Sequence, residues 1–263
     1  MNISVSNKLM AVALSALVVL GSCSKEEDAV APAPEESSQD LESVTLSFAS
    51  ESGQQVVAVP ESMTSSDDPY AQSAATYVAT VNQIGSYFTY FQPPAGAEKS
   101  SEPIAPANGR LAATNKQYLV YTWAQQEMTI AYQLSEESDK YVWEIFWKQG
   151  EGEFKKYLYA EESKTAKKGK LIVYGIIGTQ NDVFSVQYDW EKETDGTTKL
   201  IGTINSTDDI ALVYTIIVNP DASGSVEYKF AEGRYLMLWD GVGNGSWTLY
   251  GEDGNTLSGT WTA

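Results

Sequence analysis

Histidine is absent from this sequence, and cysteine occurs only once, at Cys23. Without histidine the chain cannot build a Ser-His-Asp or Cys-His catalytic group or a His-ligated metal site. A single cysteine excludes an intrachain disulfide and a thiolate cluster for zinc or iron. We therefore predict a protein that is not an enzyme and that uses no metal and no cofactor.

Basic residues are also scarce. The chain has 17 Lys and Arg against 35 Asp and Glu, for a net charge of −18. Such a chain repels phosphate backbones, so nucleic acid is not expected as a partner. Hydrophobic residues make up 43% of the sequence and aromatic residues 11%. This is enough apolar material for a sizeable core, and we expect one folded domain plus a tether.

The amino terminus has the layout of a secretory signal peptide. A short polar start carries Lys8, the run from Leu9 to Leu20 is apolar, and the small residues Gly21 and Ser22 come next. The apolar run is too short to span a bilayer, which takes about 20 residues. We therefore predict that residues 1–22 are a signal peptide.

The run from Leu20 to Cys23 resembles the bacterial lipobox, in which an aliphatic residue and two small residues precede the cysteine that becomes the mature amino terminus. The resemblance implies lipid attachment at Cys23, through a diacylglyceryl thioether and, as in most such proteins, an amide-linked acyl chain. Two or three acyl chains hold a protein stably on a membrane. The alternative is an ordinary cleaved signal that happens to contain a cysteine.

Residues 23–42 are expected to form an acidic tether rich in Pro, Ala, Ser and Glu. Its first part, Ser24 to Asp28, resembles the export signal that sends some Gram-negative lipoproteins to the outer face of the outer membrane. The alternative is that these residues only begin a solvated linker. We expect a location in the cell envelope, on the outer membrane and at its surface.

Residues 43–263 are predicted to form a mainly β domain. It would begin with a hairpin over residues 43–59 and one amphipathic helix over residues 69–91, where Asp68 supplies the N-cap and Pro69 the first helical residue. Apolar residues at steps of three and four give this helix one stripe: Ala74, Tyr77, Val81, Ile84, Phe88 and Phe91. We expect the stripe to pack against a sheet, with binding of a partner as the alternative.

Residues 92–110 have the composition of a surface connection, and residues from about 111 to 263 alternate between apolar and polar types, as from Phe184 to Trp190. Pairs such as Asp195-Gly196 predict tight hairpins. This pattern is typical of an antiparallel meander, curled into a barrel, a half-barrel or a sandwich. Small pairs that begin at Gly224, Gly245 and Gly259 are interpreted as similar hairpins, not as a repeat family.

The order of elements, an aromatic helix followed by a long antiparallel meander, resembles the layout of half-barrel lipoprotein carriers and related lipid-binding envelope proteins. This resemblance covers element order over about three quarters of the chain and no sequence motif. It implies an apolar concave face that the helix fills as a plug.

Acidic pairs could hydrolyse glycosides without histidine. However, adjacent residues on a strand point to opposite faces, and each pair is predicted to lie in a turn, where solvated acids are ordinary. The pairs are Glu136-Glu137, Glu161-Glu162 and Asp208-Asp209. No EF-hand loop and no phosphate-binding loop occurs in the sequence. We therefore assign none of these acids a catalytic role.

Trp143 and Trp147 share one face of a predicted strand, with Phe146 on the other. Either the strand is central and covered on both sides, or one face lines a pocket. In the second case Trp143 and Trp147, with Phe88 and Phe91 of the helix, are the candidate ligand-binding residues. We expect a ligand- or partner-binding module, with an apolar ligand as the first hypothesis. The alternative is a surface glycan-binding lipoprotein of a polysaccharide uptake system.

Overall fold

A long antiparallel sheet dominates the computed structural model, which describes residues 41–46, 57–89, 92–104, 116–175, 184–205, 210–231 and 233–262. A 3₁₀ turn (Leu41–Ser43) and the helices α1 (Glu61–Ser65) and α2 (Pro69–Thr89) come first. The strands are β1 (Glu98–Ser100), β2 (Tyr118–Gln125), β3 (Met128–Glu136), β4 (Lys140–Gln149), β5 (Lys155–Ser163), β6 (Lys168–Tyr174), β7 (Phe184–Lys192), β8 (Thr198–Asn205), β9 (Ile210–Val218), β10 (Gly224–Phe230), β11 (Gly233–Trp239), β12 (Gly245–Gly251) and β13 (Thr256–Trp261).

The predicted meander is confirmed. All 13 strands belong to one sheet, and each pairs with its neighbour in sequence. Every pairing is antiparallel, from β1 with β2 to β12 with β13. The described residues contain no pairing between β1 and β13, so the sheet is open. Local hairpin connections explain this order, because strands joined by short turns pair with each other most readily.

Helix α2 begins where the sequence predicts. Oδ1 of Asp68 accepts hydrogen bonds from the backbone N–H groups of Tyr70 at 2.8 Å and Ala71 at 3.2 Å, as an N-cap does. Tyr70 stacks on Trp247 of β12 at 4.3 Å between ring centroids, and Tyr77 stacks on Tyr228 of β10 at 5.3 Å. The helix therefore crosses the strands and packs on one side of the sheet.

The side of the sheet that faces α2 forms the main core. Residues that lie directly opposite each other in antiparallel strands share a face. One such row runs across the sheet through Leu119, Leu134, Trp143, Ala160, Leu171, Tyr188, Gly202, Tyr214, Tyr228 and Tyr235. Most of these side chains are buried, and the small buried residues Ala71 and Ala74 let α2 approach them closely.

The reverse side is also buried over β2 to β4. Phe146 is only 1% exposed although it points away from Trp143 and Ile145. Its neighbour Gln133 accepts a hydrogen bond from the backbone N–H of Ile104 at 2.8 Å. Ile104 therefore lies against the reverse side, and β4 is a central strand that is buried on both faces.

Two expectations from the sequence need correction, and three others fall wholly or mostly outside the described residues. The stretch 92–110, expected to be a surface connection, contains β1, which pairs with β2. Glu161-Glu162, expected in a turn, lies inside β5. The hairpin predicted over 43–59 falls mostly outside the described residues, as do Asp208-Asp209 and Phe91.

Glycines of the sheet make room for aromatic rings on the neighbouring strand. Each of these glycines lies directly opposite an aromatic residue whose ring occupies the space that a Cβ would need. The pairs are Gly169 with Trp190, Gly202 with Tyr214, Gly224 with Trp239, Gly245 with Trp261, and Gly259 with Trp247. The indole N–H of Trp261 also donates to the carbonyl of Gly243 at 2.8 Å, so this ring closes the turn before Gly245.

Replacing Gly245 with alanine is expected to lower the free energy of unfolding by about 1 to 3 kcal/mol, as overpacking does. The new Cβ would lie 2.0 Å from Cζ2 of Trp261 and 2.4 Å from the carbonyl oxygen of Leu238. Urea denaturation followed by tryptophan fluorescence measures the loss. Gly152→Ala in an exposed turn is the control, with a change of at most about 0.5 kcal/mol. Equal losses in the two variants would contradict the role of the Gly–Trp pair.

Candidate functional site

Of the four predicted ligand-binding residues, the structure describes the side chains of Trp143 and Trp147. Trp143 is 2% exposed and lies in the main core, with the ring of Tyr141 at 6.2 Å in an edge-on arrangement. Trp147 is only half-buried. Phe88 belongs to α2, but its side chain is not described, and Phe91 lies outside the described residues. Of the four, Trp147 is therefore the described side chain that a ligand can reach without rearrangement of the core.

Trp147 belongs to a group of half-buried aromatic side chains. In the register of β2, β3 and β4, Trp123 lies opposite Ile130, which lies opposite Trp147, so both indoles share the α2 side of the sheet. In the next row Tyr121 lies opposite Tyr132, with 6.4 Å between ring centroids. We call Tyr121, Trp123, Tyr132 and Trp147 the aromatic platform.

Polar side chains border the aromatic platform. The row beyond the two tryptophans consists of Gln125, Met128 and Gln149, which lie opposite one another in the register. All three are exposed, and Met128 is 37% exposed. Lys155 of β5 lies opposite Trp147 and is also exposed. The aromatic rings therefore lie next to two amide groups, which both donate and accept hydrogen bonds, and to one ammonium group.

The hydroxyl group of Tyr132 stays neutral at ordinary pH. Burial raises the pKa of this phenol far above its usual value of about 10, and an interaction with Trp143 offsets only part of the increase. The phenol therefore adds no charge to the aromatic platform, and its hydroxyl group is engaged with Trp143. The same contact links the platform to Trp143 in the core below it.

Three residues of the aromatic platform were not predicted as site residues from the sequence: Tyr121, Trp123 and Tyr132. A signal for Trp123 is present, because Tyr121 and Trp123 are two residues apart in β2 and so share one face, as Trp143 and Trp147 do in β4. The register of β2 on β3 and of β3 on β4 is what brings the two tryptophans into one row. That register depends on contacts distant in sequence, which alternation alone does not provide.

A second surface, on the reverse side of β5 to β8, is a groove of about 290 Å³. Three acids and three lysines line it: Glu161, Asp189, Glu191, Lys168, Lys170 and Lys199. Glu161 accepts hydrogen bonds from Lys140 at 2.6 Å and from Tyr159. Burial alone would raise the pKa of Glu161, but these two partners lower it on balance. The charges of the groove thus offset one another, and the ion pairs mainly join neighbouring strands.

The acidic residues do not form a two-carboxylate site. Glu161 and Glu162 are consecutive in β5 and point to opposite faces of the sheet. Glu136 pairs with Lys164 at 2.7 Å, and Glu137 pairs with Lys116 at 2.7 Å. Within the described residues, no three acidic or cysteine side chains are grouped so that they could hold a metal ion.

Neither described helix is long and apolar enough to cross a membrane. Comparison of the chain with protein-family models, with curated protein sequences and with solved structures finds no match in any of the three. The residues of the aromatic platform, with their positions and chemistry, are therefore the basis for a functional proposal.

Proposed function

We propose that this chain is a lipid-anchored protein of the cell envelope whose β domain binds a glycan on the aromatic platform. The observation that carries the proposal is the row in which Trp123 and Trp147 flank Ile130, bordered by exposed amides. An indole ring packs well against the C–H face of a sugar ring, and the amides of Gln125 and Gln149 suit its hydroxyl groups.

The dimensions of the aromatic platform favour an extended ligand. Trp123 and Trp147 are two strands apart, and neighbouring strands are about 4.8 Å apart, so the two indoles are separated by about 10 Å. Both belong to strands that are paired through β3, which holds them in a fixed relation at little entropic cost. A short oligosaccharide could contact both rings at once.

An apolar ligand is less well supported than a glycan. Sites for apolar ligands enclose most of the ligand surface. On the α2 side of the sheet, the space is occupied by the protein itself, because Leu158, Leu171 and Val173 are fully buried. The aromatic platform instead consists of half-buried rings with an exposed polar border, which suits a ligand that keeps part of its hydration.

Trp147→Ala and Trp123→Ala are each expected to weaken glycan binding by about tenfold or more, since a central aromatic contact usually contributes this much. A glycan array identifies the ligand, and isothermal titration calorimetry then compares the variants. Tyr250→Ala is the matched control: this half-buried ring lies on the reverse side, on β12, under the guanidinium of Arg234 at 4.1 Å. Its removal is expected to leave glycan affinity unchanged.

Two results would contradict the glycan proposal. One is an array on which no glycan binds, or on which binding is equal in the Trp147→Ala variant and the wild type. The other is a lipid that co-purifies with the wild-type protein and is lost from Trp147→Ala. The second result would support the apolar-ligand hypothesis.

A further inference from the structure

The two edges of the sheet differ in how they are protected. Edge strand β1 has three residues, among them Glu98 and Lys99, and Lys99 forms an ion pair with Glu42. Short, charged edge strands discourage pairing with another chain. Edge strand β13 is twice as long, carries no charged residue and no proline, and is mostly exposed. Among the described residues, no strand pairs with its outer edge.

The hydrogen-bonding groups that β13 leaves open can be assigned. The hairpin before it is closed by a hydrogen bond from Gly251 N–H to the carbonyl of Asn255, at 2.9 Å. Hydrogen-bonded and non-hydrogen-bonded pairs alternate along an antiparallel ladder. From the register of β12 and β13, Leu257, Gly259 and Trp261 bond to β12. The backbone groups of Thr256, Ser258 and Thr260 therefore point away from the sheet.

We propose that β13 pairs antiparallel with β13 of a second copy of this chain, with Ser258 on the twofold axis. This register places Ser258 opposite Ser258 of the second copy and Thr256 opposite Thr260 of the second copy. Every outward-pointing residue then meets another outward-pointing residue, so their N–H and C=O groups satisfy each other. The sheets of the two copies join into one.

The side chains of β13 suit a second copy. Leu257, which is 62% exposed, would lie opposite Gly259 of the second copy, beside the indole of Trp247 that already covers this glycine. Because β13 is uncharged, two copies of a chain with a net charge of −18 can meet here without placing like charges opposite each other. Of the registers that place outward-pointing residues opposite one another, this one pairs all three of each copy within β13.

The dimer is expected to be reversible. A stable dimer buries about 800 Å² on each partner, and one pair of six-residue strands covers less than this. The association should therefore depend on concentration. The monomer, in which β13 is mostly exposed, should also be populated.

Ser258→Cys tests the register. It is made in the full-length chain with Cys23→Ser, which removes the native thiol. Hydrogen-bonded residues in an antiparallel pair have Cα atoms about 5.5 Å apart, within the range of about 4.4 to 6.8 Å that a disulfide spans. Mild oxidation is expected to give a covalent dimer. Thr256→Cys, equally exposed, should stay monomeric alone but should cross-link when mixed with a Thr260→Cys chain.

Sedimentation of the unmodified chain provides a second measurement. We expect a monomer–dimer equilibrium that Ser258→Lys weakens by about tenfold or more, because two ammonium groups would face each other on the axis. Circular dichroism is the control, and it should show that this exposed substitution leaves the fold intact. A chain that is monomeric at all concentrations, or Thr256→Cys that cross-links alone as well as Ser258→Cys does, would overturn the proposal.

Discussion

A Cys23→Ser chain is expected to carry no lipid and to keep its signal peptide. In the lipobox resemblance, the cysteine thiol forms the thioether to diacylglycerol, and cleavage before Cys23 follows that modification. A serine hydroxyl is far less nucleophilic than a thiolate, and no other cysteine in the sequence could take over. Metabolic labelling with radioactive palmitate should therefore label the wild type and leave the variant unlabelled. Mass spectrometry of the amino-terminal peptide measures cleavage.

Controls separate the lipobox hypothesis from an ordinary signal peptide. Ser22→Ala keeps a small residue before the cysteine and is expected to be labelled and cleaved like the wild type. If Cys23 only happens to lie near an ordinary cleavage site, both the wild type and Cys23→Ser will be cleaved, unlabelled and released from membranes. Palmitate label on Cys23→Ser would contradict the lipid assignment directly.

Features set by nearby residues could be predicted from the sequence. Helix α2 begins at Pro69 because Asp68 caps it, and both residues are adjacent in the chain. The hairpins follow from local turn chemistry. For example, Gly196 and Gly254 adopt positive φ angles of 93° and 79°, which glycine allows without strain. The strand order of a meander built from such hairpins depends on few contacts between residues distant in sequence. Its antiparallel order was therefore also predictable.

Features set by distant contacts could not be predicted. β1 is a strand because Glu98 to Ser100 pair with β2, across a gap in sequence, although nothing in their own composition favours a strand. Trp143 and Trp147 have the same local pattern in β4, yet one is in the core and the other is half-exposed. The two side chains differ in burial because the rest of the protein packs against Trp143 more completely than against Trp147.

The glycine-led pairs near the carboxyl end of the sequence have a physical explanation in the structure. Gly224 and Gly245 begin strands at positions where a tryptophan of the next strand lies over the backbone. The spacing between them varies because strand and turn lengths vary. Similar hairpin chemistry, as the sequence suggested, accounts for the likeness.

Replacing Phe146 with alanine is expected to lower the free energy of unfolding by about 3 to 5 kcal/mol. The ring is 1% exposed on the reverse side of β4, and Nζ of Lys156 lies 5.7 Å from its centroid. Removal of the ring leaves a cavity on the reverse side of the sheet. The change loses both the transfer free energy of the ring and its packing contacts.

The size of this loss tests whether the reverse side is a true second core. Chemical denaturation with an unchanged m-value gives the difference in free energy. Phe154→Ala is the control, because this ring is half-buried in the turn before β5 and lies under Nζ of Lys148 at 5.1 Å. It should cost about 1 kcal/mol. If the two variants lose the same amount, the covering of β2 to β4 contributes little to stability. A large loss for Phe146 alone means that burial on the reverse side of β2 to β4 contributes substantially to stability.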